Sequence, residues 1–256
     1  MKIATWNVNS LKARLEHVLT WLQDKQPDVL CLQELKMTNE NFPLAAINDA
    51  GYQVVFSGQK TYNGVAILSR NTLTDIVLDL PNYDDPQRRV LAGTLNDIRI
   101  INLYVPNGSS VDSDKYIYKL AWLEKLHDYL QRQLEQYKNL VVLGDFNIAP
   151  KNRDVYDPVA WEGQVLVSQP ERAALQKLMD LGLVDTFRLF HQDQQYSWWD
   201  YRQAAFRRNM GLRIDHILAS TPFATQCIAA EIDKIPRKWE RPSDHAPVMA
   251  EFNLKI

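Results

Sequence analysis

A chain of 256 residues that is 46% hydrophobic and 10% aromatic has material for a large core, and without repeats, low-complexity runs or Ser/Gly-rich linkers it reads as one domain over 1–256. A formal net charge of −2 argues against a strong nonspecific polyanion binder, so a polyanion partner requires a local basic surface opposed by acidic surface elsewhere. The polar opening MKIATWNVNS lacks the apolar run of a signal peptide and no later segment approaches a membrane span, which points to a cytoplasmic protein.

Residues 2–8 alternate well enough for a strand. Ser10 stands where it can cap a helix whose Leu11, Leu15, Val18, Leu19 and Leu22 form one stripe and which stops before Pro27. DVLCLQE (28–34) is a short apolar strand with Glu34 at its mouth, so the chain opens as a parallel βαβ unit. Its Cys31, like Cys227, is expected to be a reduced core thiol, because two cysteines make neither a disulfide framework nor a metal cluster. After a short helix near 42–49, segments 52–57, 64–69, 90–95 and 98–105 read as strands and resemble a meander.

Residues 115–136 form the longest predicted helix, with Leu120, Leu123, Leu130 and Leu134 on its inner face. It leads into NLVVLGDFNIAP (139–150), where Leu140 to Leu143 read as a strand buried on both faces. Gly144 then allows a tight turn, and Asp145 and Asn147 arrive at the strand's carboxyl end, where open α/β sheets place their sites. A loop rich in Asp and Pro runs to about 168, a helix covers roughly 169–181, and GLVDTF follows. Further strands are read at RIDHILAS (213–220), near 224–231, and at APVMAEFNL (246–254), where Val248, Ala250, Phe252 and Leu254 alternate with Met249, Glu251 and Asn253. Mostly antiparallel strands in two groups with helices between them predict an α/β fold of two sheets packed face to face, helices outside.

Polar residues recur at the ends of these strands: Asn7 and Asn9, Glu34, Tyr104 and Asn107, Asp145 and Asn147, Asp215, and Asp244 with His245. Asp145 and Asn147 alone fit an Asx-type turn as well as a shared catalytic task. If all the mouths share one rim, the inventory of four carboxylates, an imidazole, a phenol and several amides suits a hard, oxygen-liganded cation and a phosphate ester. Strand alternation puts Asp215 and His216 on opposite faces, which makes a distant histidine the better partner for Asp215 and His216 a core residue. Arg202, Arg207, Arg208 and Arg213 form the one locally basic stretch, facing a single acid.

The pieces WNVNSLKAR (6–14), PDVLCLQE (27–34), YNGVAILS (62–69), NLYVPNG (102–108), LGDFNIAP (143–150), GLVDTFR (182–188), SWWDYR (197–202), GLRIDHIL (211–218) and SDHAP (243–247) carry a resemblance. In this order, and over nearly the whole chain, it resembles exonuclease III and its relatives, bacterial abasic-site endonucleases of the endonuclease/exonuclease/phosphatase superfamily that includes DNase I. The resemblance implies a four-layered α/β/β/α sandwich with its site at one edge. It also implies Mg²⁺-dependent hydrolysis of duplex DNA 5′ to abasic sites or at damaged 3′ ends, leaving a 3′-hydroxyl, with Mn²⁺ as a substitute cation. Neither a membrane nor an obligate protein partner is implied.

Roles follow at matching positions. Glu34 is the principal metal ligand, oriented by Asn7, and Asp244 is either a further residue of the metal site or a partner of its neighbours. Asp145 orients or deprotonates the attacking water, Asn147 holds a phosphate oxygen, and His245 touches the phosphate with its other nitrogen on Asp215. A protonated His245 favours Asp145 as the base. Tyr104 and Asn107 contact the phosphate or leaving oxygen. Asn9, which stands where some relatives carry Asp, also faces the substrate. Trp198 and Leu212 wall a small pocket for a flipped sugar without a base. Arg202, Arg207, Arg208 and Arg213, with Lys115 or Lys119, lie near the DNA backbone.

Overall fold

Strands that are apolar on both faces need cover on both sides, and the computed structural model, which describes residues 1–254, provides it with four layers. The elements in order are β1 (Lys2–Asn7), α1 (Leu11–Lys25), β2 (Val29–Gln33), α2 (Leu44–Asp49), β3 (Gln53–Ser57), β4 (Val65–Ser69), β5 (Thr74–Leu78), β6 (Val90–Leu95), β7 (Ile98–Tyr104) and α3 (Asp114–Gln136). They continue with β8 (Asn139–Asp145), α4 (Gln169–Asp180), β9 (Leu183–Asp185), α5 (Thr186–Phe190), β10 (Asp215–Ser220), α6 (Thr221–Ala224), β11 (Cys227–Ile232) and β12 (Val248–Phe252).

One sheet runs β11-β12-β1-β2-β4-β3 and the other β5-β6-β7-β8-β10-β9. Alternate residues of the same strand serve different layers. Val141 and Leu143 join Ile3, Val29, Cys31 and Ile67 between the sheets, whereas Leu140 and Val142 turn outward onto Trp122, Leu126, Leu175 and Leu178 of α3 and α4. On the other side Ala4, Trp6, Leu30 and Leu32 pack beneath Trp21 and Leu22 of α1.

Each sheet contains one parallel pair joined by a helix, β1–α1–β2 and β7–α3–β8, so the carboxyl ends of four strands face one edge. The predicted meander is in fact two hairpins on different sheets: β3 pairs with β4 in the first, β6 with β7 in the second. Ser10 departs from its expected role. Its φ is 92° and its side chain makes no capping bond, because its backbone N–H instead donates to Glu34 O at 2.8 Å, tying the β1–α1 turn to the end of β2. Cys31 is a buried free thiol as expected, but Cys227 is half-exposed at the start of edge strand β11. Among the described residues no helix is long and apolar enough to cross a membrane.

Candidate active site

The topology explains why residues distant in sequence meet. Asn7 and Asp145 end β1 and β8, Glu34 follows β2, and Tyr104 ends β7. Because β10 is antiparallel to β8 and β12 is antiparallel to β1, the starts of β10 and β12 lie at that same edge. Asp215 is thereby directly opposite Asp145, and His245 sits just before β12. Gly144 makes the last step of β8 possible: a Cβ there would fall 1.9 Å from Leu103 O of the neighbouring parallel strand, and its φ of +145° lies in glycine territory. The chain leaves the strands through left-handed residues, Glu34 at φ 54° and Asn147 at φ 50°, a backbone state that side chains other than glycine adopt at a cost.

Asn7 is the hub. Its Nδ2 donates to Glu34 Oε1 at 2.9 Å and to Asp145 Oδ2 at 2.8 Å, while its Oδ1 accepts from Asn9 N at 3.0 Å. Asp145 Oδ1 accepts from Asn147 N at 2.9 Å. The Asn147 amide donates to Val105 O at 3.0 Å and to Asp145 Oδ2 at 3.3 Å, and accepts from Asn107 Nδ2 at 3.1 Å. His245 Nδ1 lies 2.9 Å from Asp215 Oδ2, and its Nε2 faces Asp145 Oδ2 at 3.7 Å. Ser197 Oγ accepts from the Ile214 and Asp215 amides, and Ser243 Oγ donates to Asn7 O while accepting from His245 N, so both ends of the imidazole's support are braced.

Burial sets the electrostatics. Asp145 is raised to about 7, first by loss of water and then by Asp215, with His245 and the Asn7 amide opposing. For His245 burial works downward, but Asp215 and Asp145 outweigh it and hold the imidazole at about 10. Tyr104 is pushed well above the usual phenol range by burial, then by Glu34 and Asp145, while Arg89 stacks over its ring at 4.7 Å. The surroundings thus favour a protonated imidazole at His245 beside an Asp145 carboxyl that holds a proton more readily than a free one.

Several expected residues have other surroundings. Lys119 does not face solvent: its side chain is 0% exposed and paired with Glu171. Arg213 is likewise 1% exposed, held by Asp154 and Asp185 at 2.7 Å each, since a buried guanidinium is stable only when its charge is matched. Asp244 is a partner of its neighbours, accepting from Asn9 Nδ2 at 2.9 Å and Trp198 Nε1 at 3.0 Å. Leu212 is fully buried in a small cluster with Val155, Leu166 and Ile214, against which Trp198 packs, and its main chain also bridges to that of Trp198. A cavity of about 270 Å³ is lined instead by Trp198, Tyr156, Trp161, Asp200, Arg202 and Met210. Arg202 is exposed beside it and paired with Asp200, and Arg207 and Arg208 are exposed. Lys115 borders a groove of about 580 Å³ with Arg89, Tyr104 and Asn107. His216 is a core residue, its Nε2 2.9 Å from Ile148 O.

Lys36 is a residue of this edge that sequence reasoning passed over. Its Nζ lies 2.9 Å from Glu34 Oε2, and its place two residues after Glu34 in LQELK was the available signal. Glu34, Asp145 and His245 each offer one ligand atom, all within 4.8 Å of one another. Two carboxylates converging this closely fit a divalent cation. Asn7 braces that set, its amide nitrogen donating to both Glu34 and Asp145 while its carbonyl accepts from Asn9 N.

A sandwich with an acidic, amide-braced pit and a carboxylate-held imidazole at one edge defines a metal-dependent hydrolase. Residues 4–245 match the Endonuclease/Exonuclease/phosphatase family. An exodeoxyribonuclease III of Haemophilus influenzae is 35% identical over 98% of this chain and 100% of its own. Among solved structures, a 3′ phosphatase, NExo, from Neisseria bound to product DNA hairpin is 49% identical with a TM-score of 0.98, covering 99% of this chain and 100% of that one. An AP endonuclease from Archaeoglobus fulgidus is 41% identical with a TM-score of 0.96 over the same shares. The chain belongs to the Endonuclease/Exonuclease/phosphatase family, among its exonuclease III-like enzymes.

Proposed function

We propose that the chain is a DNA-repair phosphodiesterase that hydrolyses duplex DNA on the 5′ side of abasic sites and clears nucleotides or blocking groups from 3′ ends, leaving a 3′-hydroxyl. The observation that carries this reading is the buried row Asp215–His245–Asp145, with 2.9 Å and 3.7 Å between successive partners. Flanked by two carboxylates, His245 keeps its proton and can meet the negative charge of a phosphate, which leaves Asp145 to take the proton of the attacking water. Asn7 and Asn147 hold Asp145 in position by donating to its carboxylate. Because both hydrogens of the Asn147 amide are committed, donation to a phosphate oxygen falls to Asn107, which is exposed and has an unused N–H. Tyr104 keeps its proton and can give it to the leaving oxygen.

Glu34 is the residue we assign to Mg²⁺, or Mn²⁺ in its place, whose charge would polarise the scissile phosphate. Trp198, beside its cavity, is assigned to a sugar lacking its base, and Arg202, Lys115 and Asn9 to the surrounding strand. A cytoplasmic place of action is part of the same reading. The test is incubation with end-labelled duplexes carrying an abasic-site analogue, a recessed 3′ end or a 3′-phosphate, with and without EDTA. Cation-dependent products ending in 3′-hydroxyl are expected; cleavage that survives EDTA, or inert duplexes of all three kinds, overturns the proposal.

A further inference from the structure

Lys119 carries a charge that the chemistry above does not use, in the second turn of α3 and fully buried. An ammonium has three hydrogens, and three acceptors surround this one: Asn107 O at 3.1 Å, Asn147 O at 2.7 Å and Glu171 Oε1 at 2.5 Å. Glu171 in turn caps the start of α4, accepting from Leu166 N at 3.0 Å and Ser168 N at 3.2 Å. Two of the three acceptors are main-chain carbonyls of the very residues whose amides form the relay Asn107–Asn147–Asp145. Asn147 is also one of the left-handed residues, at φ 50°. Gly108, at φ +94°, leaves room for the lysine stem, since a Cβ there would stand 3.2 Å from Lys119 Cδ.

We propose that Lys119 is a positioning residue for phosphodiester hydrolysis: its ammonium clamps the 105–109 and 145–149 loops together from behind, so that the Asn107–Asn147 amide pair meets Asp145 in one orientation. The inference rests on Asp145 being the reacting carboxylate. Glu171 matches the charge and ties the clamp to α4, which is why a cation can sit in this core at all.

The test removes the clamp without leaving a lone buried charge. Lys119→Met/Glu171→Gln and Lys119→Met/Glu171→Met replace the pair by neutral side chains, the second by an apolar swap of the kind that buried pairs tolerate. For the folded variants kcat on the best duplex should fall about 100-fold while KM stays within about threefold, the pattern of lost orientation rather than lost binding. Leu178→Ala, a truncation of a buried α4 residue in the core layer between that helix and the sheet, sets the effect of lowered stability alone and should keep kcat. Near wild-type kcat in either folded double variant, or the same loss of kcat in Leu178→Ala, overturns the inference. Absence of cleavage by the wild type would instead sink the proposed function, so the two failures are separable.

Discussion

Two buried histidines at this edge show how neighbours decide what an imidazole does. His245 lies between Asp215 and Asp145, which raise it to about 10, whereas His216 is pulled down to about 4 by burial and then by Arg213. For His216 the folded state resists a proton that the unfolded chain accepts near pH 6.5. Its contribution to stability is therefore whole above that pH and is lost as the pH falls toward 4, on the order of 3 kcal/mol. Urea unfolding of wild type and His216→Gln at a series of pH values should show a difference that is constant above pH 6.5 and shifts against the wild type below it. At Asp145, replacement by Asn should lower kcat on the order of 10³-fold, as expected when a general base is removed. Its melting temperature should hold or rise, because burial and Asp215 both disfavour the ionised carboxyl. A wild-type rate in Asp145→Asn would take this residue out of the mechanism. Glu34→Gln should raise the Mg²⁺ concentration needed for half-maximal cleavage, and an unchanged titration would contradict its assignment to the cation.

Elements differed in how openly the sequence displayed them. β8 was legible because four consecutive apolar residues, a glycine and two polar residues describe a doubly buried strand and its mouth, and the structure places them so. Gly144 is the hinge of that arrangement: Gly144→Ala should cost about 3 kcal/mol or more, since the Leu103 carbonyl that obstructs a Cβ is main chain and cannot turn aside. A urea midpoint close to wild type would refute it. β5 was not legible, because an edge strand with exposed Thr74, Asp75 and Ile76 shows no alternation to find. β9 has only three residues, and its assignment rests on pairing with β10 rather than on its own pattern. The burial of Lys119 could have been anticipated, since it shares a helical face with Leu123, Leu126 and Leu130 at spacings of three and four. That of Arg213 could not, because its partners Asp154 and Asp185 are 59 and 28 residues away.

At the scale of the molecule, a net charge of −2 conceals a division of labour among its cations. Lys119 and Arg213 neutralise interior carboxylates, while Arg202, Arg207 and Arg208 remain on the surface beyond the pit. Duplex binding should thus depend on few phosphate contacts. Arg207→Ala/Arg208→Ala should raise KM and shrink the slope of log affinity against log salt by about 2, with kcat unchanged. A slope equal to wild type would remove these arginines from the DNA path.

The order of strands in the first sheet has a temporal meaning. β12 closes that sheet by inserting between β11 and β1, pairing Glu251 with Lys2, and His245 arrives on the same segment. Glu34 and Asp145 therefore stand at the edge without the imidazole until the segment carrying β12 has slotted between its two neighbours, so that completing this sheet and assembling the candidate site are one event.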